Sequence, residues 1–277
     1  MRIDAHQHFW RYDEAKYAWI SGEMAALKRD FLPEDLRPLG EEAGFDGCVA
    51  VQARHSVEET EWLLELADAN AFVRGVVGWV DLCSPDGPRQ LERLTANRKL
   101  VGVRHVAQDE ADDEFLLRPE FRRGIARLEQ FGLAYDILIY PRHLRVATEF
   151  ARGFPNQRFV LDHIAKPLIA ERVMSPWDRD VRRLAGLPNV FCKLSGMVTE
   201  ARWKQWTRED FRPYLDVVLE AFGPARLMIG SDWPVCTLSA NYRDTMAIVM
   251  EYIAELSAEE RAAILGENCA AFYRLPE

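Results

Sequence analysis

Short apolar runs alternate with longer amphipathic stretches along the whole chain. Eight of the runs read as strands: Arg2–His8, Gly47–Ala53, Phe72–Val80, Leu100–His105, Ala134–Tyr140, Arg158–His163, Val190–Ser195 and Arg226–Asp232. Several are nearly continuous in Val, Ile and Leu, the pattern of parallel strands covered on both faces. Helical spacing marks Pro33–Ala43, Val57–Asn70, Pro88–Asn97, Pro119–Phe131, Arg142–Gly153, Trp177–Ala185, Glu209–Phe222 and Asn241–Leu256, with a last helix over Ala258–Phe272. Ser56 is placed to cap the second of these helices, and Gly132 and Gly223 fall where a left-handed residue ends one. Strands each followed by a helix, eight times within about 250 residues, are the arithmetic of a (β/α)8 TIM barrel. An open doubly wound sheet calls for a Gly-rich phosphate turn after an early strand, and none is present. No low-complexity linker or internal repeat divides the chain, so residues 1–277 read as a single barrel domain. Phe9–Leu32 is long for a connection and rich in aromatics, as lids and binding loops often are.

Composition narrows the partners. With 48% hydrophobic and 29% charged residues in 277, the chain is neither disordered nor a coiled coil. The 35 basic and 44 acidic residues give a net charge of −9, which speaks against nucleic acid or an anionic membrane as a partner. Cys48, Cys83, Cys192, Cys236 and Cys269 are scattered and contain no CxxC pair, so they read as core thiols of a reducing compartment. No apolar signal core follows Met1-Arg2, and no stretch approaches the roughly 20 apolar residues that cross a bilayer. A cytoplasmic protein with a small-molecule partner is expected.

Reactive side chains gather at the C-terminal tips of the strands, where barrel enzymes place their sites. His6 and His8 are two apart on one strand, so both can face one ion or one substrate. Asp162 and His163 alternate, so only one can point into the mouth; His163 is expected inward, with Asp162 tethering nearby backbone. Asp232 follows an apolar strand and reads either as a general base or as a turn cap. Arg104 offers a planar fork to a carboxylate or lactone oxygen. His105, Gln52, Asp136, Tyr140 and Lys193 are further inward candidates, each matched by an ordinary structural reading.

His6-Gln7-His8 with Phe9-Trp10, Gly78-Trp79-Val80-Asp81, Gly102-Val103-Arg104-His105, Leu161-Asp162-His163 with Lys166-Pro167, Lys193-Leu194-Ser195-Gly196 and Gly230-Ser231-Asp232-Trp233-Pro234 occur in this order. Together they resemble the amidohydrolase superfamily, in its amidohydrolase-related (family 2) branch, over essentially the whole chain. Within that branch the sequence looks most like the sugar lactonases. The resemblance implies a distorted barrel and hydrolysis of a small-molecule sugar lactone, such as L-fuconolactone or L-rhamnonolactone. It matches His6 and His8 to a metal-ligand pair, with Asp232 and His163 as catalytic residues and as candidates for further metal ligands. One divalent ion, zinc first, or no essential metal fit equally. Ala134–Tyr140 carries no histidine, which argues against two metals. On this reading Asp232 takes a proton from water, and Arg104, His105, Gln52, Asp136, Tyr140, Trp10 and Trp233 bind substrate. The alternatives are a metal-dependent decarboxylase of an aromatic or unsaturated acid, and a barrel that binds a sugar acid without turning it over.

Overall fold

The computed structural model describes residues 1–275. Eight parallel strands pair in sequence order: β1 Ile3–Gln7, β2 Gly47–Val51, β3 Val73–Gly78, β4 Leu100–His105, β5 Ala134–Ile137, β6 Phe159–Leu161, β7 Val190–Leu194 and β8 Leu227–Ile229. The helices between them are α1 Pro33–Glu42, α2 Val57–Ala69, α3 Gly87–Leu94, α4 Pro119–Leu128, α5 Leu144–Arg152, α6 Trp177–Ala185, α7 Met197–Glu200, α8 Arg208–Phe222 and α9 Tyr242–Tyr252. The sheet curls until its first and last strands meet just past their ends. Gln7 bridges to Trp233, His8 N–H donates to the Trp233 carbonyl at 2.7 Å, and Asp232 N–H donates to the His6 carbonyl at 2.8 Å. The result is the nearly closed (β/α)8 barrel that the pattern of runs predicts.

β6 and β8 are only three residues long, shorter than their apolar runs. The chain leaves the sheet while still buried: His163, Ile164, Ala165 and Lys166 have φ between 49° and 61°, and Asp232 has φ 56°. Burial without ladder pairing keeps the sequence apolar beyond the strand. Ser56 caps α2 as expected, its hydroxyl accepting from Glu59 N–H at 3.1 Å. The expected last helix is instead broken into α10 Ala258–Ala262, a π-helical stretch Ala263–Glu267 and α11 Asn268–Tyr273. The break lets the Asn268 amide donate to the Pro224 and Leu227 carbonyls at 2.8 and 2.7 Å, fastening α11 to β8.

Two apolar clusters divide the core. A small one fills the barrel with Ile3, Ala5, Val49, Val51, Val77, Val101, Ala134, Val160 and Met228, joined by Cys269, Phe272 and Tyr273 of α11. A larger one packs strands against helices. Residues 9–32 are folded down rather than loose: Trp10 and Phe31 pair through their backbones, their rings lie 5.3 Å apart, and Tyr17 hydroxyl donates to Glu59 at 2.9 Å. All five cysteines are free, and Cys48, Cys192, Cys236 and Cys269 are buried. No helix among the described residues is long and apolar enough to cross a membrane.

Candidate active site

Three strands deliver the reactive groups, each by a different local device. On β1, Ile3 and Ala5 fill the barrel, so strict alternation would turn His6 and His8 outward. The pairing register slips between Asp4 and Gln7, and both imidazoles face the interior. On β6, Val160 points inward and alternation brings Asp162 inward too. His163 also reaches the mouth, because its left-handed backbone ends the alternation. The expectation that only one of this pair faces the mouth is therefore corrected. On β8, Met228 is interior, and four residues on Asp232 follows it. Glycines make room for this convergence. A Cβ on Gly230 would lie 2.8 Å from His6 Cβ; one on Gly196 would lie 2.5 Å from His163 Nδ1, and Gly196 has φ 65°.

The four side chains meet at one carboxylate oxygen. Asp232 Oδ1 lies 3.3 Å from His8 Nε2, 3.8 Å from His6 Nε2 and 3.9 Å from His163 Nε2. The two β1 imidazoles approach within 3.3 Å through their Nε2 atoms. Each ring is held from behind. His8 Nδ1 donates to the Val51 carbonyl at 2.7 Å, which turns its Nε2 towards Asp232. His163 Nδ1 lies 2.9 Å from Ser195 Oγ. Burial alone would raise the Asp232 carboxyl, yet His163, His8 and His6 hold it below the ordinary carboxylate range. Burial pushes His163 down to about 4 against the pull of Asp232, and it drives His6 well below its usual value.

Beneath these groups lies a charged layer. Lys193 Nζ, fully buried, donates to Asp136 Oδ2 at 2.6 Å and lies 3.2 Å from Asp162 Oδ1 and 3.1 Å from His6 Nδ1. Arg104 Nη1 donates to Asp162 Oδ2 at 3.0 Å and also faces His6 Nε2 at 3.3 Å. Tyr273 hydroxyl reaches both Asp136 oxygens. Two cations thus compensate two carboxylates that burial would otherwise neutralise. Burial raises Asp136, whereas Lys193, His6 and Arg104 outweigh burial at Asp162 and hold its carboxyl low.

A cavity of about 740 Å³ opens above. His8, His163, Asp232, Arg104 and Tyr140 line it, together with Trp19, Lys166, Glu200 and Trp203. His6 does not line it: it is fully buried and meets the site through His8 and Asp232. Five residues expected to touch substrate sit elsewhere. Gln52 is buried, its amide donating to the Arg104 carbonyl and its oxygen accepting from Arg104 Nη2. Asp136 is spent on Lys193 and Tyr273. His105 has both ring nitrogens engaged, by Glu110 at 2.7 Å and the Trp79 indole at 3.2 Å. Trp10 and Trp233 are core residues packed around Phe31, at ring distances of 5.3 and 5.2 Å.

Some residues that shape the site carry no signal in the sequence. Asp4 accepts from Ser231 N–H at 2.9 Å, Ser231 hydroxyl at 2.6 Å and His6 N–H at 3.2 Å, tying the root of β1 to the chain just before Asp232. That contact joins residues 227 apart in the chain and depends on the meeting of β1 with β8, which the sequence does not show. Asp162, expected to tether nearby backbone, is instead the hub of the charged layer.

The amidohydrolase family profile matches residues 3–275. The chain belongs to the amidohydrolase family. It is 46% identical to an L-fucono-1,5-lactonase of Burkholderia multivorans, covering 100% of this chain and 97% of the relative. A second L-fucono-1,5-lactonase, from Burkholderia ambifaria, is 40% identical over 99% of this chain and 96% of its own length. A solved amidohydrolase from Burkholderia multivorans with bound zinc superposes with a TM-score of 0.95 at 44% identity, covering 100% of both chains.

This amidohydrolase carries a donor set that fits one divalent ion. His6, His8 and Asp232 offer ligand atoms within 4.8 Å of one another, as do His6, Asp162 and His163. Ligands about 2.0–2.2 Å from a tetrahedral ion stand roughly 3.3–3.6 Å apart, close to the spacings around Asp232 Oδ1. The charge states fit as well, since Asp232 is held ionised and burial favours the neutral forms of His6 and His163, the forms that ligate. His6 is the weakest member, because Arg104 competes for its Nε2 lone pair.

Proposed function

We propose that the chain is a lactonase that hydrolyses a sugar-acid lactone to the aldonic acid, with Asp232 as the base that takes a proton from water. What carries this reading is the ionised Asp232 carboxylate, ringed by three imidazole nitrogens at 3.3–3.9 Å on the floor of a cavity large enough for a sugar ring. The full-length likeness to two L-fucono-1,5-lactonases supports the choice of substrate class, with an aldonolactone of the L-fucono or L-rhamnono series as the first candidate.

In this mechanism the imidazoles orient Asp232 and exclude bulk water from one side of it. Asp232 receives the proton as water adds to the carbonyl, and returns it to the ring oxygen when the carbon–oxygen bond breaks. Arg104 places positive charge at the cavity floor, where the developing oxyanion is stabilised, and Tyr140 offers a hydroxyl on the wall. His8, His163, Asp232 and, less firmly, His6 would hold one zinc ion, as the zinc-bound relative suggests. When bound, zinc supplies Lewis-acid polarisation of the carbonyl and a lower pKa for water.

The test is a pH-indicator screen of aldonolactones, run with and without a chelator. Acid release from one sugar series, abolished by Asp232→Asn, is the expected result. No acid release from any lactone would remove the reading.

A further inference from the structure

One carboxylate on the cavity wall has no part in the hydrolytic scheme. Glu200 ends α7, the short helix that follows β7, and this stretch is held by its backbone. The Glu200 carbonyl accepts from Ala170 N–H at 2.9 Å, and the preceding Thr199 carbonyl accepts from the Trp203 indole at 3.0 Å. Thr199, Glu200 and Trp203 all line the cavity. Among the described residues the Glu200 carboxylate has no hydrogen bond and no ion pair. The other acids there differ: Asp232 faces three imidazoles, Glu110 is bonded to His105 at 2.7 Å, and Asp109, also without a hydrogen bond or ion pair among the described residues, is exposed to water. Burial raises the Glu200 carboxyl, opposed by the charge of Lys166. A partly buried carboxylate left without donors is costly, and the cost is recovered only when something in the cavity supplies them.

Lys166 lines the same wall. It ends the left-handed run that starts at His163, and its ammonium lies 5.6 Å from the centre of the Tyr140 ring. The wall therefore presents an acceptor, a cationic donor and a phenol side by side, next to Trp203. That is the complement of a ring carrying several hydroxyls.

We infer that Glu200 is a specificity-determining residue that accepts the ring hydroxyls of the substrate, with Lys166 and Tyr140 donating alongside. The inference rests on the lactonase reading above and sharpens it. A neutral, polyhydroxylated lactone satisfies Glu200. An unsubstituted lactone leaves it desolvated and unpaired. A lactone bearing its own carboxylate meets both Glu200 and Asp232, a like-charge juxtaposition that selects against it.

The experiment compares wild type, Glu200→Gln and Glu200→Ala on an aldonolactone and on δ-valerolactone, with melting temperatures as a check on folding. The expected result is that the ratio of kcat/KM for the aldonolactone over δ-valerolactone falls about tenfold to a hundredfold in Glu200→Ala. Most of that fall is expected in KM, with partial recovery in Glu200→Gln, which keeps one acceptor oxygen. A ratio within about twofold of wild type overturns the inference, as does an equal loss on both substrates. A calorimetric titration with a polyhydroxylated δ-lactam and with plain δ-valerolactam reads the same preference without turnover. There the affinity ratio is expected to drop by a similar factor in Glu200→Ala, and an unchanged ratio overturns the inference. Wild type that hydrolyses no lactone yet shows the lactam preference would defeat the lactonase reading alone. Wild type that hydrolyses aldonolactones with a ratio indifferent to residue 200 would defeat this inference alone.

Discussion

Exchanging Asp232 for Asn keeps the shape of the side chain and removes the charge that three imidazoles share. General-base catalysis contributes on the order of a hundredfold to ten-thousandfold, so Asp232→Asn is expected to lower kcat by about that range, with KM changed far less; steady-state kinetics on the best aldonolactone decide. Metal retention is a separate residue-level question. Protein loaded with zinc and dialysed is expected to keep about one equivalent by elemental analysis, whereas His8→Ala, which removes a nitrogen whose tautomer is fixed by Val51, is expected to keep less than about a tenth of that. His6, His8, His163 and Asp232 were legible in sequence because they stand at the ends of apolar runs, where a polar residue is costly without a task. Gln52, His105 and Asp136 stand at similar places and carry the same signal, yet their polar atoms serve Arg104, Glu110 and Lys193. Residue type and spacing do not distinguish a group that meets a ligand from one that meets a neighbour.

At the level of elements, the turns after the strands decide the site. Gly196 needs its left-handed backbone and leaves no room for a methyl group against His163. Gly196→Ala is expected to lower the melting temperature by roughly 4–10 °C, from strain and overpacking of about 2–3 kcal/mol. It is also expected to displace His163, seen as a loss of activity measured well below the melting point. The long segment after β1 depends on Glu59, which accepts from Ala53 and Arg54 N–H groups and from Tyr17. Burial raises the Glu59 carboxyl in the folded protein. The folded state therefore binds a proton more tightly than the unfolded chain, and the stability contributed by this group falls as pH rises above the ordinary glutamate value towards the folded one. Relative to Glu59→Gln, wild type is expected to lose unfolding free energy between pH 4 and pH 7, read from denaturant melts at each pH; a gap that widens in favour of wild type would contradict this. The strands and most helices were legible from periodicity. The slip in β1 and the left-handed exit from β6 were not, because both depend on how neighbouring strands pair rather than on the residues that undergo them.

Across the whole molecule, the barrel is drawn shut at one seam. β1 and β8 meet through the backbone contacts of His8 with Trp233 and of Asp232 with His6, and through Asp4, whose carboxyl burial pushes up to about 6. Asp4→Ala would leave the Ser231 and His6 donors without their acceptor in a buried place. A fall in melting temperature of roughly 6–15 °C is expected, from an unfolding free energy smaller by about 3–4 kcal/mol. The circular architecture was legible from eight repeats of run and helix, whereas the means of closure was not, since Asp4 lies 227 residues from Ser231. That distance has a consequence for how the protein comes alive. The imidazole pair of β1 leaves the ribosome seven strands ahead of the carboxylate that follows β8, and waits without it until that strand has emerged. Catalytic competence then arrives in a single late step, so the onset of turnover in a translation or refolding reaction would time the docking of the last strand onto the first.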